Sequence, residues 1–129
     1  MSGEILYDLR KWMPGHGENN LSISFEMQNL IVKVRYDGNS GQEDSKLIKF
    51  LDVSFHSVGS FPGVPSIAGT YDCDFHTGCV IKAENSDLSA QWIAYWMKSG
   101  IRRRCCHFVM FWGSENRVVH AIAEAVELV

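Results

Sequence analysis

The side chains best suited to chemistry fall in two stretches. One is Cys73-x-x-His76-x-x-Cys79; the other is Arg102-Arg103-Arg104-Cys105-Cys106-His107, with His56 and His120 elsewhere. Thiolates and imidazoles bind zinc tetrahedrally. A tight hairpin carrying Cys73, His76 and Cys79 would bring three ligands to one ion, and Cys106 or His107 would supply a fourth. The spacing is not that of a finger or ribbon, which pairs one Cys-x-x-Cys with a second. In the hairpin register read below, Cys73 and Cys79 share a face while His76 sits at the tip. Two core thiols beside a turn histidine are the commoner use of such a triplet. The expectation is therefore no cofactor, with zinc as the alternative.

Cys105 or Cys106 with His107, His120 or His56, and a carboxylate such as Asp52 or Glu124, would make a thiolate–imidazole pair. Arg102, Arg103 and Arg104 would supply the positive field it needs. A strand buried on both faces is a poor place for a nucleophile, and adjacent cysteines in a strand point to opposite faces. The arginine run would also clamp a phosphate or carboxylate. Its plainer role is a solvated link whose charge favours the negative end of a preceding helix. A further candidate is a small-ligand pocket inside a curved sheet, lined by Trp92, Trp96, Tyr71 and Phe108.

These residues need a scaffold, and the last third of the chain supplies it. Ser86 is an N-cap residue type, and Asp87 places negative charge in the first helical turn. Leu88, Trp92, Tyr95 and Trp96 then recur at helical spacing, widened by Ile93 and Met97. Gly100 suits the left-handed position that ends a helix. The spacing predicts a helix over Asp87–Ser99. Arg103–Trp112 follows, apolar on both faces through its second half, as expected of a strand central in its sheet. Cys106, Phe108, Met110 and Trp112 point one way; Cys105, His107, Val109 and Phe111 point the other. A polar turn, 113–116, leads to a strand over Arg117–Leu128. Its alanines, Ala121, Ala123 and Ala125, predict close approach of another element, the helix being the candidate. The same segment is rich in helix formers and has a helical alternative. The hairpin places His107 and His120 opposite each other, where such residues are more often packed than ligating.

Earlier in the chain, Ile5, Leu6, Leu9, Trp12 and Met13 fit one side of a short N-terminal helix ended by Pro14-Gly15. Leu21–Phe25 alternates as a half-buried strand, Gln28-Asn29 reads as a turn, and Leu30–Tyr36 returns with Lys33 and Arg35 outward. Lys46–Val58 reads as one strand whose alternation breaks near Lys49 and Asp52, the mark of a bulge. The stretch 59–69 is a long irregular connection. Tyr71–Phe75 and Cys79–Ala83 form a hairpin. The fold expected is α+β: one mainly antiparallel, curved sheet of six to seven strands packed on one aromatic-rich helix, with a short N-terminal helix, in a single domain over 1–129.

A net charge of −3 argues against general nucleic-acid affinity. No apolar run reaches the ~20 residues of a membrane span. Residues 1–20 lack a signal-peptide core, and four cysteines are too few and too uneven for a secreted disulfide scaffold. A cytoplasmic protein with reduced thiols is the expectation. Gly15-His16-Gly17 lacks a dinucleotide loop's third glycine, and Gly59-Ser60-Phe61-Pro62-Gly63 has its serine out of place for a nucleophile elbow.

In pattern, Trp92–Val129 resembles small bacterial proteins that neutralise toxins by binding. The resemblance rests on a Trp-rich helix, a His-Phe-Val-Met-Phe strand and an Ala-rich partner, and it transfers no site. Separately, the absence of catalytic signatures and an aromatic share of 12% point to a non-enzymatic binding protein acting through a protein partner or homo-oligomer. The alternatives are the small-ligand pocket and a zinc- or thiol-dependent enzyme.

Overall fold

A computed structural model of the chain describes residues 3–11, 13, 17–60, 78–113 and 116–129. Among the described residues are nine strands in two antiparallel sheets and one α-helix. The strands are β1 (Gly3–Asp8), β2 (Glu18–Glu26), β3 (Asn29–Asp37), β4 (Glu43–Leu51), β5 (Phe55–Ser60), β6 (Cys79–Ala83), β7 (Cys106–Trp112), β8 (Arg117–Ala123) and β9 (Ala125–Leu128). The helix α1 spans Asp87–Lys98. The first sheet has the order β1-β6-β7-β8-β5 and the second β2-β3-β4-β9. The α+β class and antiparallel pairing agree with the sequence. The single curved sheet of six to seven strands does not: two sheets face each other instead.

The chain changes sheet twice, at one corner. After β4, Asp52 takes a φ of 50°, and the strand resumes as β5 in the other sheet. After β8, a break at Glu124 sends the chain on as β9. The two crossings are bonded side by side: Glu124 N–H donates to Leu51 O at 2.9 Å, and Ser54 N–H to Ile122 O at 2.7 Å. Thus Lys46–Val58 and Arg117–Leu128 are not single strands. They are two neighbouring strands that bend together, the usual way a corner between sheets is made. Alternation holds on either side of such a bend and breaks at it, which is why Asp52 read as a bulge.

The core lies between the sheets. Phe108, Met110 and Trp112 of β7, with Val119, Ala121 and Ala123 of β8, meet Leu30, Val32, Val34, Ile48 and Phe50 of the second sheet. The small face of β8 therefore admits the opposite sheet, not α1. The helix lies on the outward face, beside His107 and, through Trp92, Phe55. A second cluster, including Cys79, Ile81, Val109 and Phe111, is buried on that outward face. Both faces of β7 are covered, and it sits in the middle of its sheet as expected.

The N-terminal helix is also corrected. Gly3–Asp8 is strand β1, paired with β6 from Gly3–Ala83 to Asp8–Cys79, and only Leu9–Lys11 coils, as one 3-10 turn. Pairing with a distant strand outweighs the helical spacing of Ile5, Leu6 and Leu9. The β2–β3 turn falls one residue earlier than read, at Met27-Gln28, with Glu26 opposite Asn29.

Candidate functional site

The site is built where α1 is pinned to the outward face of the first sheet. Ser86 is the N-cap, with extended backbone (φ −75°, ψ 123°), and its Oγ accepts the Ser89 N–H at 3.1 Å. The same Oγ lies 2.6 Å from His107 Nδ1. His107 Nε2 lies 3.0 Å from His120 Nδ1. The strand register explains this second contact: Val109 pairs with His120 and His107 with Ile122, so the two histidines are diagonal neighbours on one face. Both are 2% exposed.

Burial holds both imidazoles well below their ordinary range. The pKa of His107 is lowered to about 3, by desolvation first and then by repulsion from His120. Burial alone lowers that of His120 to about 4. At neutral pH both are uncharged, so one ring N–H must donate across the pair, and Ser86 completes a polar chain from helix to sheet. Such weakly basic rings hold hydrogen bonds well and withdraw protons poorly.

Two further bonds fix the helix. The Ser89 hydroxyl donates to the Cys105 carbonyl, and Trp96 Nε1–H donates to Ser54 Oγ at 2.9 Å. At the far end, Ile101 N–H reaches Trp96 O and Gly100 N–H reaches Met97 O, with Gly100 at φ 75°. This is the Schellman arrangement. The Arg103 guanidinium lies 4.9 Å from the Trp96 ring centroid, a cation–π contact.

Despite these anchors, α1 has no buried residue. Tyr95 is 56% and Met97 60% exposed, and Ile93 and Ile101 are also exposed. Trp92 and Trp96 are half-buried and pack with Tyr95 in an aromatic ledge. Beside the helix, a groove of about 510 Å³ opens at the end of the β6–β7 ladder. Lys82, Arg103 and Arg104 line it, with Ser86 and His107 among its neutral polar groups. Among the described residues no carboxylate does.

The residues singled out in the sequence separate as follows. Trp92 and Trp96 belong to the ledge, while Phe108 points into the inter-sheet core against Phe50. Tyr71, Cys73 and His76 lie outside the described residues. Cys79 is buried on the outward face, its thiol 3.5 Å from Asp8 Oδ1. Cys106 points to the other face, and His107 lies at the opposite end of the β6–β7 ladder from Cys79. Cys79, Cys106 and His107 therefore do not converge, and among the described residues no three His, Cys, Asp or Glu side chains do. Burial pushes the Cys105 thiol up, against smaller lowering effects from Ser54 and Arg103, so it stays protonated. Arg103 and Arg104 line the groove, and Arg102 is exposed beside it.

Three contributors were missed in the sequence: Ser54, Lys82 and Ser89. Ser89 sits three residues after the cap, where a first-turn hydroxyl was visible. Ser54 and Lys82 become relevant only through long-range strand pairing. No family model, curated protein or solved structure matches the chain.

Proposed function

We propose that this is a non-enzymatic binding protein that engages a protein partner through the exposed side of α1 and the Arg102–Arg104 segment. One observation carries it: a helix tied down at both ends leaves Ile93, Tyr95, Met97 and Ile101 in water. Ile93 and Met97 stand one turn apart on one flank of the Trp92–Trp96 stripe and Tyr95 on the other; large apolar groups left in water in this way suit an interaction site, and Tyr, Trp, Met and Arg are the types enriched in interface cores. The partner's chemistry follows from charge. Residues 98–104 carry Lys98, Arg102, Arg103 and Arg104 and no acid, so the partner presents apolar groups bordered by carboxylates. The protonated Cys105 thiol and the weakly basic His107 and His120 favour binding over catalysis.

The test is a photo-crosslinking residue placed at Tyr95, with Lys49 on β4 as control, in cells that make the protein. A discrete adduct at 95 and none at 49, weakened at least tenfold by Arg102→Glu with Arg104→Glu, supports the proposal. Adducts at both positions, none at either, or indifference to charge reversal would overturn it. An adduct of twice the chain's own mass would make the partner a second copy.

A further inference from the structure

The second sheet ends at β2, which has β3 on one side and, among the described residues, no strand on the other. On its core side Phe25, Ile23 and Leu21 stand opposite the buried Leu30, Val32 and Val34 of β3. Phe25 rests edge-on against His56 and is still 54% exposed; Ile23 is 36% exposed. The first sheet thus covers β3 fully and β2 only in part. The backbone is open as well. A β-turn ties the carbonyl of its first residue to the N–H of its fourth, so the turn at Met27-Gln28 makes Glu26 and Asn29 a bonded pair. Bonded and non-bonded pairs alternate along an antiparallel ladder. Ser24 and Ser22 therefore bond to β3, while Leu21, Ile23 and Phe25 turn their N–H and C=O groups to the free edge. Among the described residues no turn or loop backbone group takes them up. Native edges are blunted by shortness, lysine, proline or a bulge. β9 has four residues, and β1 has a register shift between Ile5 and Tyr7. β2 has nine residues, regular from Asn20 to Glu26, and neither lysine nor proline.

We infer that β2 is a docking edge for the β2 of a second copy of this chain, the two strands running antiparallel about a two-fold axis at Ile23. Strand addition of this kind draws affinity from backbone bonds and specificity from side-chain register, and the sequence of β2 is complementary to itself. With the axis at Ile23, Leu21 meets Phe25 of the copy and Ile23 meets its own counterpart. The three residues with open backbone groups then pair only with one another, and each pair exchanges both of its bonds. On the core side, Leu21, Ile23 and Phe25 of both copies close into one apolar row, each shielding the other's exposed side chains. On the outer side Ser22 meets Ser24, and Asn20 meets Glu26. Asn20 is also paired with Arg35 on β3. Glu26 of one copy therefore shares a face with Arg35 of the other, with only Asn20 between them, and the charges are opposite. An axis at Ser22 would set Glu18 against Glu26 and Phe25 against Asn19. An axis at Ser24 would carry Leu21 past the strand onto the turn. The result is one continuous sheet with four strands from each copy, an isologous contact. It is independent of the α1 face, which belongs to the other sheet.

The experiment is sedimentation velocity of the full chain over a concentration series, paired with amide hydrogen exchange by NMR on the same samples. The expected result is a dimer in which the amides of Leu21, Ile23 and Phe25 exchange at least tenfold more slowly than in the monomer. The amides of Ser22 and Ser24, bonded to β3, stay slow throughout. Ile23→Lys places two like charges at the axis and should weaken dimerisation at least tenfold. Ile23→Pro deletes an N–H that β3 does not use, and should do the same through the backbone alone. Tyr95→Ser with Met97→Ser, on α1, should leave the dimer unchanged. The exchange measurement needs no variant, so it decides the matter even where a substitution at Ile23 unfolds the chain. A monomer at every concentration, or a dimer whose amides at Leu21, Ile23 and Phe25 still exchange fast, would overturn the inference. A dimer abolished by the α1 variants and kept by those at Ile23 would also overturn it, and would move self-association to the helix.

Discussion

His107 Nε2 and His120 Nδ1 lie 3.0 Å apart on the outward face of the central hairpin, both rings shielded from water. Because burial lowers both pKa values from 6.5, to about 3 and about 4, the unfolded chain binds protons that the folded chain refuses. The sign is fixed by that difference. The stability contributed is fully present above pH 6.5 and is lost as the pH falls toward the folded-state values, by about 1.4 kcal/mol per pH unit for each histidine. Urea denaturation at pH 7.5, 6 and 5 should show the loss. His107→Gln with His120→Gln should flatten the slope across that window, whatever its effect at pH 7.5. An unchanged slope would mean that the pair is protonated, or open to water, in the folded protein.

Ser86 serves the helix and the histidine pair at once, and two substitutions separate these roles. Glycine at an N-cap costs only a few tenths of a kcal/mol relative to serine, whereas alanine costs about 1 kcal/mol. Both remove the partner of His107 Nδ1, at about 1–3 kcal/mol for a buried polar atom. Ser86→Gly should therefore destabilise by about 1–3 kcal/mol, and Ser86→Ala by about 2–4 kcal/mol. A near-neutral Ser86→Gly in equilibrium unfolding would show that the bond to His107 contributes little.

These two elements were the most legible in the sequence, and the reason is physical. The caps Ser86 and Gly100 and the stripe Leu88–Trp92–Tyr95 are local signals, and α1 obeys them. The doubly apolar run Phe108–Trp112 announces burial on both faces, and β7 is central. The diagonal meeting of His107 and His120 needs only the hairpin register. What stayed hidden depends on distant partners. Ile5, Leu6 and Leu9 are spaced for a helix, yet β6 recruits Gly3–Asp8 as an edge strand. Ala121 and Ala123 announce close approach without saying of what. The groove needs the end of β6 brought beside the start of β7 by their pairing, and no local pattern encodes that.

The corner between the sheets gives a backbone prediction. Asp52 holds φ 50°, a region costing most L-residues about 1 kcal/mol or more and tolerated by Asp and Gly. Its backbone N–H donates to Asn29 Oδ1 at 3.2 Å, a bond that both variants below can keep. Asp52→Gly should lie within about 1 kcal/mol of wild type, and Asp52→Val should lose about 1–3 kcal/mol. Chemical denaturation of both variants checks this. Equal losses would place the strain elsewhere in the β4–β5 link.

Trp96 ties the helix to that same link. Its indole N–H donates to Ser54 Oγ at 2.9 Å, two residues past the bend at Asp52. Trp96→Phe and Ser54→Ala each remove the bond, and a double-mutant cycle isolates it. The coupling expected is about 0.5–1.5 kcal/mol for one partly buried neutral hydrogen bond. Additive losses would mean that α1 is held by Ser86 and Ser89 alone.

The exposed face of α1 separates folding from binding more sharply than any buried site. Tyr95 and Met97 are more than half exposed, so shortening them removes little buried area. Tyr95→Ser and Met97→Ser should each shift stability by no more than about 0.5 kcal/mol. If these side chains anchor a partner, the same changes should weaken its binding at least tenfold, since truncated aromatic anchors at interface centres lose about 2 kcal/mol or more. Thermal unfolding and partner titration on the same variants read the two effects independently. Loss of stability without loss of binding would return Tyr95 and Met97 to the helix's own packing. Loss of binding alone would make the aromatic ledge the contact surface, with Arg102 and Arg104 selecting an acidic partner at its edge.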